Sequence, residues 1–219
     1  MMTQKRGTRY DVLHLTENQH QPRSRGRVLR NLLAITGKRE MDLAEAEALK
    51  RATDALVRSY DIHHRFTAGD ICRMHTTWLG QIYPWAGRYR QVNLIKDDLP
   101  FAAAAQVPQL MQAFEEGPLR RHTPCDFRTR NRVIEALAEV HVEFILIHPF
   151  REGNGRAGRI LSTLMALQAN LPLLDFRPIH GRRKEDYVAA VRAGLDRNYK
   201  PMGEIFELVL NRTSSGALT

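Results

Sequence analysis

TRNRVIEALAEVHVEFILIHPFREGNGRAGRILSTLMALQ, residues 129–168, is the stretch whose reading decides the fold. Its first half, 129–147, sets Val133, Leu137, Val140, Phe144 and Ile147 on one stripe at helical spacing. The end of that half, Phe144-Ile-Leu-Ile147, is apolar on every side, which marks a helix at the centre of a domain rather than on its surface. Pro149 lacks an amide proton and cannot extend the helix, so the chain must turn at His148. A second helix is expected at 156–169. Two apolar helices joined by a short polar loop imply an all-α domain with that loop at its heart.

The loop itself is His148-Pro-Phe-Arg-Glu-Gly-Asn-Gly-Arg-Ala-Gly-Arg159. Gly153 and Gly155 permit backbone turns that other residues resist, and they let amide N–H groups point outward. A glycine-rich turn feeding a helix start is an anion-binding concavity. Arg156 and Arg159 are expected in the first turn of that helix, where positive charge opposes the helix dipole. They make sense there if a polyphosphate neutralises them. Glu152 offers the hard oxygen that Mg²⁺ takes alongside substrate phosphates. Phe150 reads as an anchor packed into the core. His148, at the lip of a helix terminus, titrates near neutral pH and suits a general base.

Outward from the loop the chain is mostly helical. Residues 41–58 are rich in Ala, Leu and Glu. Thr67 and Asp70 form a capping-box start, after which Ile71, Met74, Trp78, Leu79 and Ile82 recur at helical spacing until Pro84 stops the run. Residues 88–96, RYRQVNLIK, alternate as a strand through Tyr89, Gln91 and Asn93, and the return Leu99-Pro-Phe101 completes a small edge hairpin. Val107, Leu110, Met111 and Phe114 mark another helix, with Gly117 just past its end. Two more are expected at 183–196 and 201–211, Pro201 suiting a first turn. The total is about seven helices and one hairpin. Residues 1 to about 25 lack periodicity and read as a loose basic arm, partly pinned through Val28, Leu29, Leu32 and Leu33.

Composition narrows the class. Of 219 residues, 43% are hydrophobic and 26% charged, which suits one globular core. No run nears the roughly 18 apolar residues that span a bilayer, and the N-terminus lacks a secretory signal, so a cytoplasmic location is expected. The net charge of +9 suits a polyanionic ligand or an acidic partner, and no recognised DNA- or RNA-binding motif accompanies it. Cys72 and Cys125 form no CxxC pair, and His63-His64 has no matching zinc ligands.

The segment 148–159 resembles the signature of the Fic family, HPFx(D/E)GNGRxxR, and matches every specified position. With eight fixed positions, chance agreement is on the order of 1 in 10¹⁰ per start position. The likeness extends to Tyr83-Pro-Trp-Ala-Gly-Arg-Tyr-Arg-Gln-Val-Asn93, which is similar to the segment leading into the family's flap, and it covers about residues 35 to 210. It implies a Fic-type helical bundle at 35–212 with a β-hairpin flap beside the active site, a basic arm at 1–34 and a tail at 213–219.

The resemblance further implies transfer of AMP from ATP to a Tyr, Thr or Ser hydroxyl of a target protein, with His148 as general base. Glu152 would hold Mg²⁺. Phe150, Arg151, Gly153, Asn154, Gly155, Arg156 and Arg159 would form the nucleotide site, with Tyr187 near the adenine. Lys96, Asp97 and Phe101 would contact the target from the flap. His141 reads as a packed, hydrogen-bonded histidine. The phosphotransferase branch of the family carries lysine where this chain has Gly155, which disfavours kinase-like activity; UMP and phosphocholine transfer stay open. Many members carry an inhibitory (S/T)xxxE(G/N) helix. The one partial match, Thr36 to Glu40, is followed by Met41, so any inhibition is expected in trans from a small antitoxin-like protein. A degenerate Fic module without catalysis and a nucleic-acid-binding protein are the competing readings.

Overall fold

A computed structural model of the chain describes residues 15–96, 99–179 and 183–216. Within these the chain forms helices α1 (Lys38–Ser59), α2 (Ala68–Leu79), α3 (Val107–Phe114), a single turn α4 (Arg120–His122), α5 (Arg130–Ile147), α6 (Asn154–Gln168), α7 (Arg183–Ala193) and α8 (Lys200–Gly216). Strands β1 (Ile95–Lys96) and β2 (Leu99–Pro100) pair antiparallel, Ile95 opposite Pro100 and Lys96 opposite Leu99. The architecture is the expected helical bundle with one hairpin.

α5 is the axis. All five residues of its stripe are buried, and it packs on α6 and α8, with α3 and α7 completing its surround. α2 begins at the expected capping box: Thr67 and Asp70 bond reciprocally. Burial works to raise the Asp70 carboxyl, but Thr67, His64 and Arg73 outweigh it and hold the group at about 2. One face of α2, through Ile71, Met74, Trp78 and Leu79, is buried, and α1 packs along the helix.

Four expectations are corrected. Residues 88–94 form bends and irregular backbone, and only Ile95–Lys96 is strand. Alternation is present there, but Arg90 and Val92 face inward and Gln91 outward. The Arg90 amide bonds Pro149 O at 2.8 Å, so this segment lies against the 148–159 loop instead of pairing in a sheet. Second, Gly117 does not follow a helix end: a π-turn, Glu115–Leu119, carries the helix through it to His122.

Third, of the arm read as loose over residues 1 to about 25, residues 15–25 are held in place, and residues 1–14 lie outside the described residues. The Arg30 and Leu32 amides bond Gln19 O and Ile82 O, and buried Glu17 accepts the Gln91 amide at 2.7 Å. Val28 is buried and Leu29 packs on the core, while Leu32 and Leu33 are exposed. Fourth, α6 starts at Asn154, two residues early, which moves Arg159 into its second turn. Among the described residues no helix is long and apolar enough to cross a membrane. Both cysteines are free, Cys125 buried and Cys72 half-buried.

Candidate active site

α5 ends because His148 takes a left-handed conformation, φ 52°, and Pro149 follows. For a non-glycine residue that conformation costs about 1 kcal/mol or more, so the surroundings must hold it. A buried guanidinium does so. Arg90 donates from Nε to His148 O at 2.7 Å and from Nη2 to Ile147 O at 3.2 Å, satisfying carbonyls that a helix end leaves bare. Its remaining donors reach Val92 O and Ala102 O, on the two sides of the hairpin. Arg90 thus joins the end of α5 to the base of the flap. Nothing in the sequence singled it out, because an arginine flanked by tyrosine and glutamine reads as solvent-facing.

The His148 ring is held on two sides. Its Nδ1 lies 3.1 Å from Ile145 O, an acceptor only, so Nδ1 carries the proton and Nε2 is the basic nitrogen. Phe101 stacks on its face with centroids 3.6 Å apart and planes 12° apart. Burial pushes the imidazole down to about 4; the Ile145 bond opposes this, and Arg90 and Lys96 add to the fall. The ring is therefore a neutral acceptor across the physiological range.

His148 borders a cavity of about 530 Å³. Opposite lies the loop, with Arg151, Glu152, Gly153, Asn154, Gly155 and Arg159 on its wall. Gly153 is the N-cap of α6 at φ 84°, and no side chain caps the helix. The first amides of α6 therefore have no turn behind them and face anions. Glu152 keeps 48% of its side chain exposed and accepts the Gly153 amide through Oε1 at 3.0 Å. Arg159 bonds only Gly155 O and, among the described residues, has no acidic partner. The Arg151 Nε is buried and has no partner among the described residues.

Other residues of the motif turn away from the cavity. Phe150 is fully buried, stacked on His75 at 3.9 Å, so it is a core anchor and not a nucleotide contact. The Asn154 side chain is held by Phe150, accepting its amide and donating to its carbonyl, each at 2.8 Å. Arg156 is absent from the cavity wall. It pairs with buried Glu45 of α1 at 2.6 Å and lies over the Trp78 ring. Glu45 also accepts the Tyr83 hydroxyl at 2.7 Å. Gly155 is helical rather than strained, whereas Gly153 needs its glycine: a Cβ there would lie 2.7 Å from Trp78. Glu45 was invisible in sequence, being one glutamate among several on an amphipathic helix.

Ile179, Val188 and Val191 give the cavity an apolar end, with Tyr187 and Lys184 beside them, while Ile145 adjoins His148. The Tyr187 hydroxyl bonds buried His141 at 2.9 Å, and His141 Nδ1 lies 3.2 Å from Ser162 Oγ, so His141 is a packed histidine. Burial, aided by Arg159, pushes His141 down to about 3. From the hairpin, Lys96 and Phe101 line the cavity and Ile95 is exposed. Asp97 lies outside the described residues. Glu40 is exposed on the first turn of α1. Among the described residues no cluster of three or more His, Cys, Asp or Glu could hold a metal alone.

The family model of the Fic/DOC family matches residues 65–166. A probable protein adenylyltransferase Fic of Escherichia coli K12 is 30% identical over 194 residues, covering 84% of this chain and 88% of that protein. Protein adenylyltransferase Fic of Nematostella vectensis is 29% identical over 155 residues, 68% of this chain and 34% of that protein, so the chain spans about a third of that relative. Among solved structures, BepC of Bartonella tribocorum with bound AMPPNP has a TM-score of 0.67 at 21% identity, over 83% of this chain and 91% of that one. At that identity the likeness is one of fold.

Proposed function

The chain belongs to the Fic/DOC family, and we propose that it is a protein adenylyltransferase, moving AMP from ATP to a Tyr, Thr or Ser hydroxyl of a target protein. The observation that carries this reading is one cavity with a neutral base on one wall and an anion cradle on the other. His148 offers Nε2; the uncapped start of α6 and Arg159 receive phosphates. Relatives of the chain are named as protein adenylyltransferases, and BepC holds an ATP analogue.

In the proposed reaction the target hydroxyl oxygen attacks the α-phosphorus while His148 Nε2 takes its proton. The bond from the α-phosphorus to the bridging oxygen breaks, and pyrophosphate leaves with those electrons. Such a transfer needs positioning and charge stabilisation more than covalent help from the protein. The amides of Gly153, Asn154 and Gly155 and the guanidinium of Arg159 would meet the phosphates, with Arg151 Nε as a further donor. The apolar end of the cavity beside Tyr187 would take the adenine. Lys96 and Phe101, with Asp97, would meet the target, whose backbone can add to the open edge of the hairpin.

Glu152 fits a Mg²⁺ ion: its carboxylate is half exposed on the cavity wall beside the cradle, and a single carboxylate with substrate phosphates is a usual Mg²⁺ set. When bound, Mg²⁺ would supply charge neutralisation to the triphosphate. A cytoplasmic location and restraint in trans by a small antitoxin-like protein complete the proposal. Arg159, with no acidic partner among the described residues, is the group an inhibitory carboxylate would take.

The test is incubation of the purified chain with Mg²⁺ and α-³²P-labelled ATP in a cell lysate, beside His148→Ala. Label on a protein band with the unmodified chain alone is expected. Label that persists in His148→Ala, or no label from any nucleoside triphosphate, would overturn the reading.

A further inference from the structure

His75 stands in the middle of α2, fully buried, and has no part in the transfer described above. Both of its ring nitrogens are engaged. The Gly87 amide donates to Nδ1 at 2.8 Å, and Nε2 lies 3.0 Å from the carbonyl oxygen of Glu152. An amide only donates and a carbonyl only accepts, so these two partners impose one tautomer: Nδ1 bare, Nε2 protonated. The ring face is covered by Phe150 at 3.9 Å, which prevents it from turning over.

What this does to the loop follows from peptide geometry. The Glu152–Gly153 unit is planar and trans, so the Glu152 carbonyl and the Gly153 N–H point in opposite directions. With the carbonyl drawn inward to His75, the Gly153 N–H must point outward to the cavity. There it meets the Glu152 carboxylate, an anion on the cavity wall. The same bond fixes the backbone from which that carboxylate extends. Gly153, at φ 84° and close against Trp78, otherwise leaves this peptide free to flip.

We infer that His75 is a positioning residue of the nucleotide site: by holding the Glu152 carbonyl it aims the Gly153 amide and the Glu152 carboxylate at the phosphates and their Mg²⁺. The inference rests on the reading of the cavity as an adenylyl-transfer site. It separates the two ring nitrogens. His75→Gln keeps an N–H near the Nε2 position and loses the acceptor for Gly87. His75→Asn keeps an acceptor near Nδ1 and releases the Glu152 carbonyl.

The experiment measures binding of a non-hydrolysable ATP analogue to the full chain by calorimetry, with and without Mg²⁺, in the unmodified protein and both variants. Melting without ligand serves as the structural control. Each variant loses one buried hydrogen bond, so both should melt lower by similar amounts. Affinity with Mg²⁺ should fall by about 5-fold or more in His75→Asn and stay within about 2-fold in His75→Gln. Equal losses in both variants, or none in His75→Asn, would reduce His75 to a core side chain. No Mg²⁺-dependent binding by the unmodified chain would instead remove the adenylyl-transfer reading, and this inference with it. If neither variant folds, ¹⁵N NMR of histidine-labelled native protein decides: the Nε2–H tautomer is required at His75, and the Nδ1–H tautomer refutes the role.

Discussion

Acid should unfold this protein through its histidines well before it reaches its carboxylates. Burial is the chief cause of the lowered pKa in buried His75 and His141 and in half-buried His148, bringing His75 and His148 to about 4 and His141 to about 3, from 6.5 when unfolded. At neutral pH both folded and unfolded states hold these rings neutral. As pH falls below 6.5 the unfolded chain takes up protons that the folded one refuses, so stability drops until the folded rings titrate. Between pH 6.5 and about pH 5 each histidine removes between about 1 and 2 kcal/mol, and three remove on the order of 5 kcal/mol. At about 2–4 °C per kcal/mol for a chain of this size, melting should fall by about 10–20 °C. Asp70, held at about 2, contributes only at lower pH. The assay is calorimetric melting of the ligand- and metal-free chain at several pH values, beside His148→Gln. The variant carries no titrating ring at 148, so its loss over the same interval should shrink by about a third. A fall of under about 3 °C in the native protein, or an undiminished one in the variant, would refute the claim that these rings are held neutral by burial.

Glu45→Gln should lower melting by about 4–10 °C, because breaking a buried pair costs about 2–3 kcal/mol when its partner Arg156 keeps 28% of its side chain exposed. A double-mutant cycle with Arg156→Gln should then show a coupling of about 1 kcal/mol or more, and additive losses would contradict the pairing. Gly153→Ala should destabilise by about 2 kcal/mol or more, having both a positive φ and Trp78 at 2.7 Å, while Gly155→Ala should leave melting unchanged or raised by about 0.5–1 kcal/mol, its Cβ meeting only Arg159 at 3.7 Å; chemical denaturation of both variants checks the order. Phe101→Ala uncovers His148, so its pKa should rise from about 4 toward 6.5. The kcat/KM of AMP transfer, flat between about pH 6 and 7.5 in the native enzyme, should then gain an acid limb near neutrality.

What the sequence made legible was whatever depends on near neighbours. The α5 stripe, the Thr67–Asp70 capping box and the Pro149 stop each lie within a few residues of the groups they act on. Periodicity and capping read such relations directly. Arg90 shows the opposite case. It is buried because the carbonyls of Ile147 and His148, some 57 residues on, need a donor where α5 ends. Local pattern puts an arginine in solvent, and the alternation of residues 88–96 reads as a strand where Arg90 and Val92 are in fact drawn inward. Glu17, fixed by the amide of Gln91, misled in the same way.

The motif at 148–159 exposes a second limit. A pattern of required residues does not distinguish those that touch a ligand from those that hold the loop that touches it. Asn154 braces Phe150, Phe150 packs on His75, and Arg156 ties α6 to α1 through Glu45. Arg159 and Glu152 face the cavity, and so do the amides around Gly153. Both groups are needed for one geometry, because a loop that must present bare amides cannot brace itself with them. Its rigidity has to come from side chains turned inward and from partners outside the motif. His75 and Glu45 are such partners, and both lie N-terminal to the loop, on the helices it packs against. The part of the site that the sequence hid is therefore the part that lends stiffness to what it displayed.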